Sequence, residues 1–130
     1  MSGVLRHGVD LVHVPALRAA VEGNPALEAG LFTEGERAYA HARPDPWPHL
    51  AARFAAKEAV LKALRRGLST EGPDAALHEI EVVREHGAPR LVLTGRIARA
   101  VERLGLDAGA LSLSHAGDLA LASVVFGARP

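Results

Sequence analysis

Leu50-Ala51-Ala52-Arg53-Phe54-Ala55-Ala56-Lys57-Glu58-Ala59-Val60-Leu61-Lys62-Ala63-Leu64 reads as the strongest helix of the chain. It holds neither glycine nor proline, and its many alanines and leucines lose little freedom on becoming helical. At about 100° per residue, Leu50, Phe54, Val60, Leu61 and Leu64 form a bulky stripe bound for a core, with Arg53 and Lys57 inside it. Long basic stems in such places pack on the core while their charged heads reach water. Glu58 and Lys62 leave on another side, among Ala51, Ala55 and Ala59, where small neighbours leave room for a large ligand.

Working outward toward the N-terminus, residues 4–14 alternate as a strand that ends at Pro15, with Gly8, Asp10, Val12 and Val14 on one face and Val9, Leu11 and His13 on the other. A helical pattern runs from Ala16 to Val21 and stops at Gly23-Asn24-Pro25. Thr33 followed by Glu36 is a capping-box signal for a short helix through about Ala42, and Pro44 to Pro48 predicts a stiff loop before the long helix. Toward the C-terminus, Arg65 to Ala75 reads as a mobile loop. Strands over Leu77–Arg84 and Arg90–Thr94 flank a turn and predict a hairpin. A helix over Arg96–Leu104 precedes a strand at Leu111–Ser114, a turn at Gly117-Asp118 and a last strand over Leu119–Phe126. Helices and antiparallel strands mix without a βαβ repeat, so the class is α+β, and the length suits one domain over residues 1–130.

The chain has 130 residues and no cysteine, which leaves no disulfide, zinc finger or thiol nucleophile and points any metal to oxygen or histidine ligands. Fifteen basic residues balance fifteen acidic ones, which argues against nonspecific nucleic-acid binding. With no stretch approaching about 20 apolar residues and no leader pattern, the expectation is a soluble cytoplasmic protein with no membrane contact.

Asp10 in the middle of an apolar strand is costly unless it is paired, bound to a cation or exposed at a sheet edge. Glu58 and Lys62 are either an exposed i,i+4 pair or a carboxylate and an ammonium serving a site. Ser114-His115 at a strand end offers an imidazole to a cleft or to solvent. Asp10 and Glu58 together match the two carboxylates with which proteins hold Mg²⁺ while phosphates and waters complete its octahedron.

The run Arg53 to Leu64 closely resembles the signature helix of the holo-acyl carrier protein synthase family of 4'-phosphopantetheinyl transferases. Gly8-Val9-Asp10-Leu11-Val12, Leu113-Ser114-His115 and Ala120-Leu121-Ala122 stand in that family's order and spacing, and the resemblance covers nearly the whole chain. It implies a small fold with an antiparallel sheet packed on one long central helix. The implied activity is transfer of phosphopantetheine from coenzyme A to a serine of an acyl carrier protein. The resemblance further implies Mg²⁺ on Asp10 and Glu58, catalysis by Glu58 and Lys62, coenzyme A contacts from Arg53, Lys62 and His115, and a homotrimer with sites between subunits.

The chain departs from the family pattern at His13 and Ala16, at Ala88, and at Arg65 and Arg66, whose guanidinium groups could bind phosphate in place of the missing cations. These departures keep open a second reading, a catalytically weak relative that binds coenzyme A or carrier protein as a partner.

Overall fold

The computed structural model describes residues 5–65, 76–84 and 86–130. Its strands are β1 (Arg6–His13), β2 (Ile80–Val83), β3 (Arg90–Leu93), β4 (Ala110–Ala116) and β5 (Leu119–Phe126). Its helices are α1 (Val14–Gly23), α2 (Ala26–Leu31), α3 (Glu34–His41), α4 (Trp47–Ala63) and α5 (Gly95–Arg103). The strands form an antiparallel sheet of order β1-β5-β4 and a separate β2-β3 hairpin, so the α+β class holds.

The long helix lies against the three-stranded sheet and is buried nearly all round, which corrects the expectation of an open, alanine-lined face. Ala51, Ala52, Ala55, Ala56, Ala59 and Ala63 are all buried, and their small size lets sheet and helix approach closely. Gly8 is part of the same fit, because a Cβ there would overlap the Ala59 carbonyl. Of the predicted bulky stripe, Leu50, Val60 and Leu64 are fully buried, while Phe54 and Leu61 only border the core. The helix also starts earlier than its pattern suggests. Pro48 sits in the first turn, where a missing N–H costs nothing, and the Asp45 carboxylate accepts from the Trp47 amide at 3.1 Å.

Arg53 and Lys57 do not send their heads to water. Lys57 is completely buried, with its ammonium 2.7 Å from Glu36 Oε1 and donating to the carbonyls of Leu77 and Ile80, each at 2.6 Å. Glu36 is the N3 residue of the predicted capping box, and it also accepts from the Val82 amide at 3.0 Å. These bonds hold β2 against the helix. The strand begins at Ile80 rather than Leu77 because Leu77 is helical and a turn follows it, closed by the Glu79 amide donating to the Ala76 carbonyl at 3.1 Å.

The other elements follow their patterns with small shifts, apart from α2, which the sequence pattern does not announce. The strand stops at His13, just short of Pro15, which sits in the first turn of α1 because helix follows strand at Val14, whose amide donates to the Asp118 carbonyl at 2.7 Å. Past Arg65, the loop expected up to Ala75, Arg66 included, lies outside the described residues.

Candidate functional site

Alternation along β1 turns Gly8, Asp10 and Val12 toward α4, and the helix supplies Glu58 and Lys62 one turn apart on the matching face. The Lys62 ammonium lies 2.8 Å from Asp10 Oδ1 and 3.1 Å from the Val9 carbonyl oxygen. Glu58 is half-buried, and its carboxyl is raised above the ordinary carboxylate range, first by burial and then by the nearby Asp10 charge, with Lys62 opposing. Strand and helix thus bring two carboxylates and one ammonium together, and the edge-strand aspartate is paired. Beside them a cleft of about 510 Å³ is lined by Arg6, His7, Lys62 and Arg65 along the Gly8–Val9 backbone.

Arg53 belongs to a second cluster. It lies five residues before Glu58, about 140° around the helix, and so points elsewhere. It is only 2% exposed, and its guanidinium carbon is 4.2 Å from the Tyr39 ring centroid. One nitrogen donates to the His49 carbonyl at 3.3 Å, while Nε and Nη2 are buried with no hydrogen-bond partner among the described residues. Arg43 also stacks on Tyr39 at 4.2 Å, and His49 meets the same ring edge-to-face at 5.8 Å. Burial foremost, with repulsion from Arg53, Arg43 and His115, holds the His49 imidazole below its ordinary pKa. A cluster of cations with unsatisfied donors and few carboxylates is suited to an anion.

His115 is exposed near the end of β4. Register carries it through Ala120 to Val12, so it shares the helix-facing side of the sheet with Asp10, two strands away. Its repulsion of His49 associates it with the Arg53 cluster rather than with the carboxylates. Arg65 reaches the cleft beside Lys62. Tyr39, Arg43 and His49 are additions that no spacing in the sequence marks; they come from α3, the loop after it and the first turn of α4, brought to Arg53 by the packing of those helices.

A long alanine-rich helix and an edge strand thus present two carboxylates and an ammonium on one face, with a separate cationic cluster around Arg53, donor sets suited to a hard cation and to an anion. The chain belongs to the 4'-phosphopantetheinyl transferase superfamily, whose profile it matches over residues 6–122, and within it to the holo-acyl carrier protein synthases. It is 47% identical over 121 residues to the holo-[acyl-carrier-protein] synthase of Syntrophotalea carbinolica, covering 92% of each chain. It is 46% identical over 132 residues to that of Chloroflexus aggregans, covering 94% of each. A solved ACPS–CoA complex from Chronobacterium ammoniagenes matches the fold with a TM-score of 0.83 at 32% identity, covering 98% of this chain and 99% of that one. No helix among the described residues is long and apolar enough to cross a membrane.

Proposed function

We propose that this chain is a holo-acyl carrier protein synthase that transfers 4'-phosphopantetheine from coenzyme A to a serine of an apo carrier protein, with Mg²⁺ held by Asp10 and Glu58. The observation that carries the reading is the convergence of Asp10, Glu58 and Lys62 in a chain so close to proteins named for this reaction. The donor set fits the ion. Two hard oxygen ligands come from different elements, and the Asp10 charge raises the cost of ionising Glu58, a repulsion that a shared cation relieves. Bound there, Mg²⁺ would neutralise the pyrophosphate and make its phosphorus a better electrophile.

The chain's own residues account for the remaining requirements. As the serine oxygen bonds to phosphorus and the bridging P–O bond breaks, the hydroxyl proton passes to Glu58, directly or through a water. Lys62 donates to the charge that gathers on the departing adenosine 3',5'-bisphosphate. Arg53, with two unused buried donors, and His115 bind phosphate or ribose, Arg65 adds a cation on the Lys62 side, and Arg66, the next residue in sequence, supplies a further guanidinium for phosphate.

We further propose a homotrimer whose subunits share each site. The outer face of the sheet exposes Val9, Leu11, Leu119, Leu121 and Val125 along paired strands, an apolar surface suited to another copy. Within one chain the carboxylate and Arg53 clusters face different ways, so a neighbour's cationic half can complete the carboxylate half. The retained Asp10, Glu58 and Lys62 favour catalysis over a binding-only relative. Intact-mass measurement of an apo carrier protein incubated with the enzyme, Mg²⁺ and coenzyme A tests the reaction: a gain of one phosphopantetheine supports it, and an unchanged mass rejects it.

A further inference from the structure

We infer that Lys62 and the divalent cation compete for the Asp10 carboxylate, so that metal entry releases the lysine from Asp10 and frees it for an incoming anion. The inference rests on the metal reading above and adds an order of events within the site. Lys62 Nζ spends two of its three donors on Asp10 Oδ1 at 2.8 Å and on the Val9 carbonyl at 3.1 Å, so the Asp10 charge is already balanced by the ammonium. A cation shared by Asp10 and Glu58 would bond a carboxylate oxygen at about 2.0–2.1 Å. Two positive charges would then stand within a few ångströms of the ammonium, at the face it now occupies.

The two ends of this contact differ in freedom. Asp10 is held by the β1–β5 ladder, with its side chain only 17% exposed. The Lys62 side chain is 44% exposed at the rim of the cleft, on a flexible four-carbon stem. Displacement therefore moves the lysine and leaves the carboxylate in place. Glu58 does not replace Asp10 as its partner once both carboxylates hold the cation. The released ammonium has lost its anionic partner and gains one when a phosphate arrives. Lys62 is thus a brake on metal binding in the free enzyme and a substrate contact in the loaded one.

The test is Mn²⁺ binding to the full-length protein without coenzyme A, followed by calorimetry or electron paramagnetic resonance, for the natural chain, Lys62→Met and Lys62→Gln. Both substitutions keep an unbranched side chain on an accessible helix face and remove the charge. Competition predicts that each variant binds Mn²⁺ about tenfold tighter, the factor expected for removing one moderately screened charge. Unchanged or weaker binding in folded variants overturns the inference, because the lysine would then share Asp10 with the metal or merely orient it. Failure of all three proteins to bind Mn²⁺ also overturns it, because the cation would then enter only with the phosphates; the metal reading beneath it fails separately, if transfer proves independent of Mg²⁺.

Discussion

The Lys57 ammonium and the Glu36 carboxylate lie 2.7 Å apart with neither side chain exposed, tying the signature helix to the start of α3 and to β2. Breaking such a pair from one side leaves a buried charge uncompensated, at a cost of about 3–5 kcal/mol. Lys57→Met should therefore lower stability by roughly that amount in chemical denaturation, and adding Glu36→Gln should recover part of it. A loss below about 1 kcal/mol in the single variant would show that the pair does not hold these elements together.

The role proposed for Arg53, an anion contact in the second cluster, rests on Nε and Nη2, which are buried and unpartnered among the described residues. Arg53→Ala should raise the Michaelis constant for coenzyme A about tenfold to a hundredfold, the equivalent of about 1.5–3 kcal/mol per lost charge-assisted bond. The constant for the carrier protein should change little. Steady-state kinetics with each substrate varied in turn checks this, and an effect confined to the carrier protein contradicts the assignment.

His49 supplies a pH dependence. Its folded pKa is depressed by burial and by neighbouring cations, so the unfolded chain binds more protons as pH falls through the ordinary histidine range of about 6.5. Stability from the neutral imidazole is thus present above that range and lost below it. Thermal melts from about pH 8 to 5 should show a steeper fall for the natural chain than for His49→Gln. Parallel profiles would remove His49 as the cause.

The helix, the capping box and the last two strands were legible in the sequence because local signals decide them: an alanine-rich run without breakers, Thr33 three residues before Glu36, and a Gly117-Asp118 turn. Asp10 was legible as a carboxylate out of place in an apolar strand and Glu58 either as half of an exposed i,i+4 pair or as a site residue; the two already suggested a Mg²⁺ pair, and the resemblance gave that reading its weight. The fates of Arg53 and Lys57 were not, because helical spacing puts a residue on a face but cannot say whether a distant carboxylate or aromatic ring waits there. Glu36 and Tyr39, from α3, decide those fates, and only tertiary packing brings them in. The alanine face was misread for the same reason: small side chains leave space equally for a ligand or for a closely packed strand, and β1 with Gly8 takes it.

The exposed sheet face predicts how assembly fails. Leu11 is 56% exposed and pairs in register with Leu121, so Leu11→Asp puts a charge at the centre of the proposed subunit contact. Light scattering should find the natural protein near three times its 13.7 kDa chain mass and the variant near that mass, with transfer lost along with assembly. A natural protein that is monomeric and fully active would rule out shared sites.

The central claim is that Asp10 and Glu58 support phosphopantetheine transfer through a divalent cation, and the most direct measurement is the initial rate of mass gain by an apo carrier protein across a Mg²⁺ titration. It should be made with the natural chain, Asp10→Asn and Glu58→Gln, each verified as folded. The natural chain should show a Mg²⁺-dependent rate, and each variant a loss of roughly two orders of magnitude or more. Near-normal transfer by either folded variant at limiting Mg²⁺ would contradict that claim.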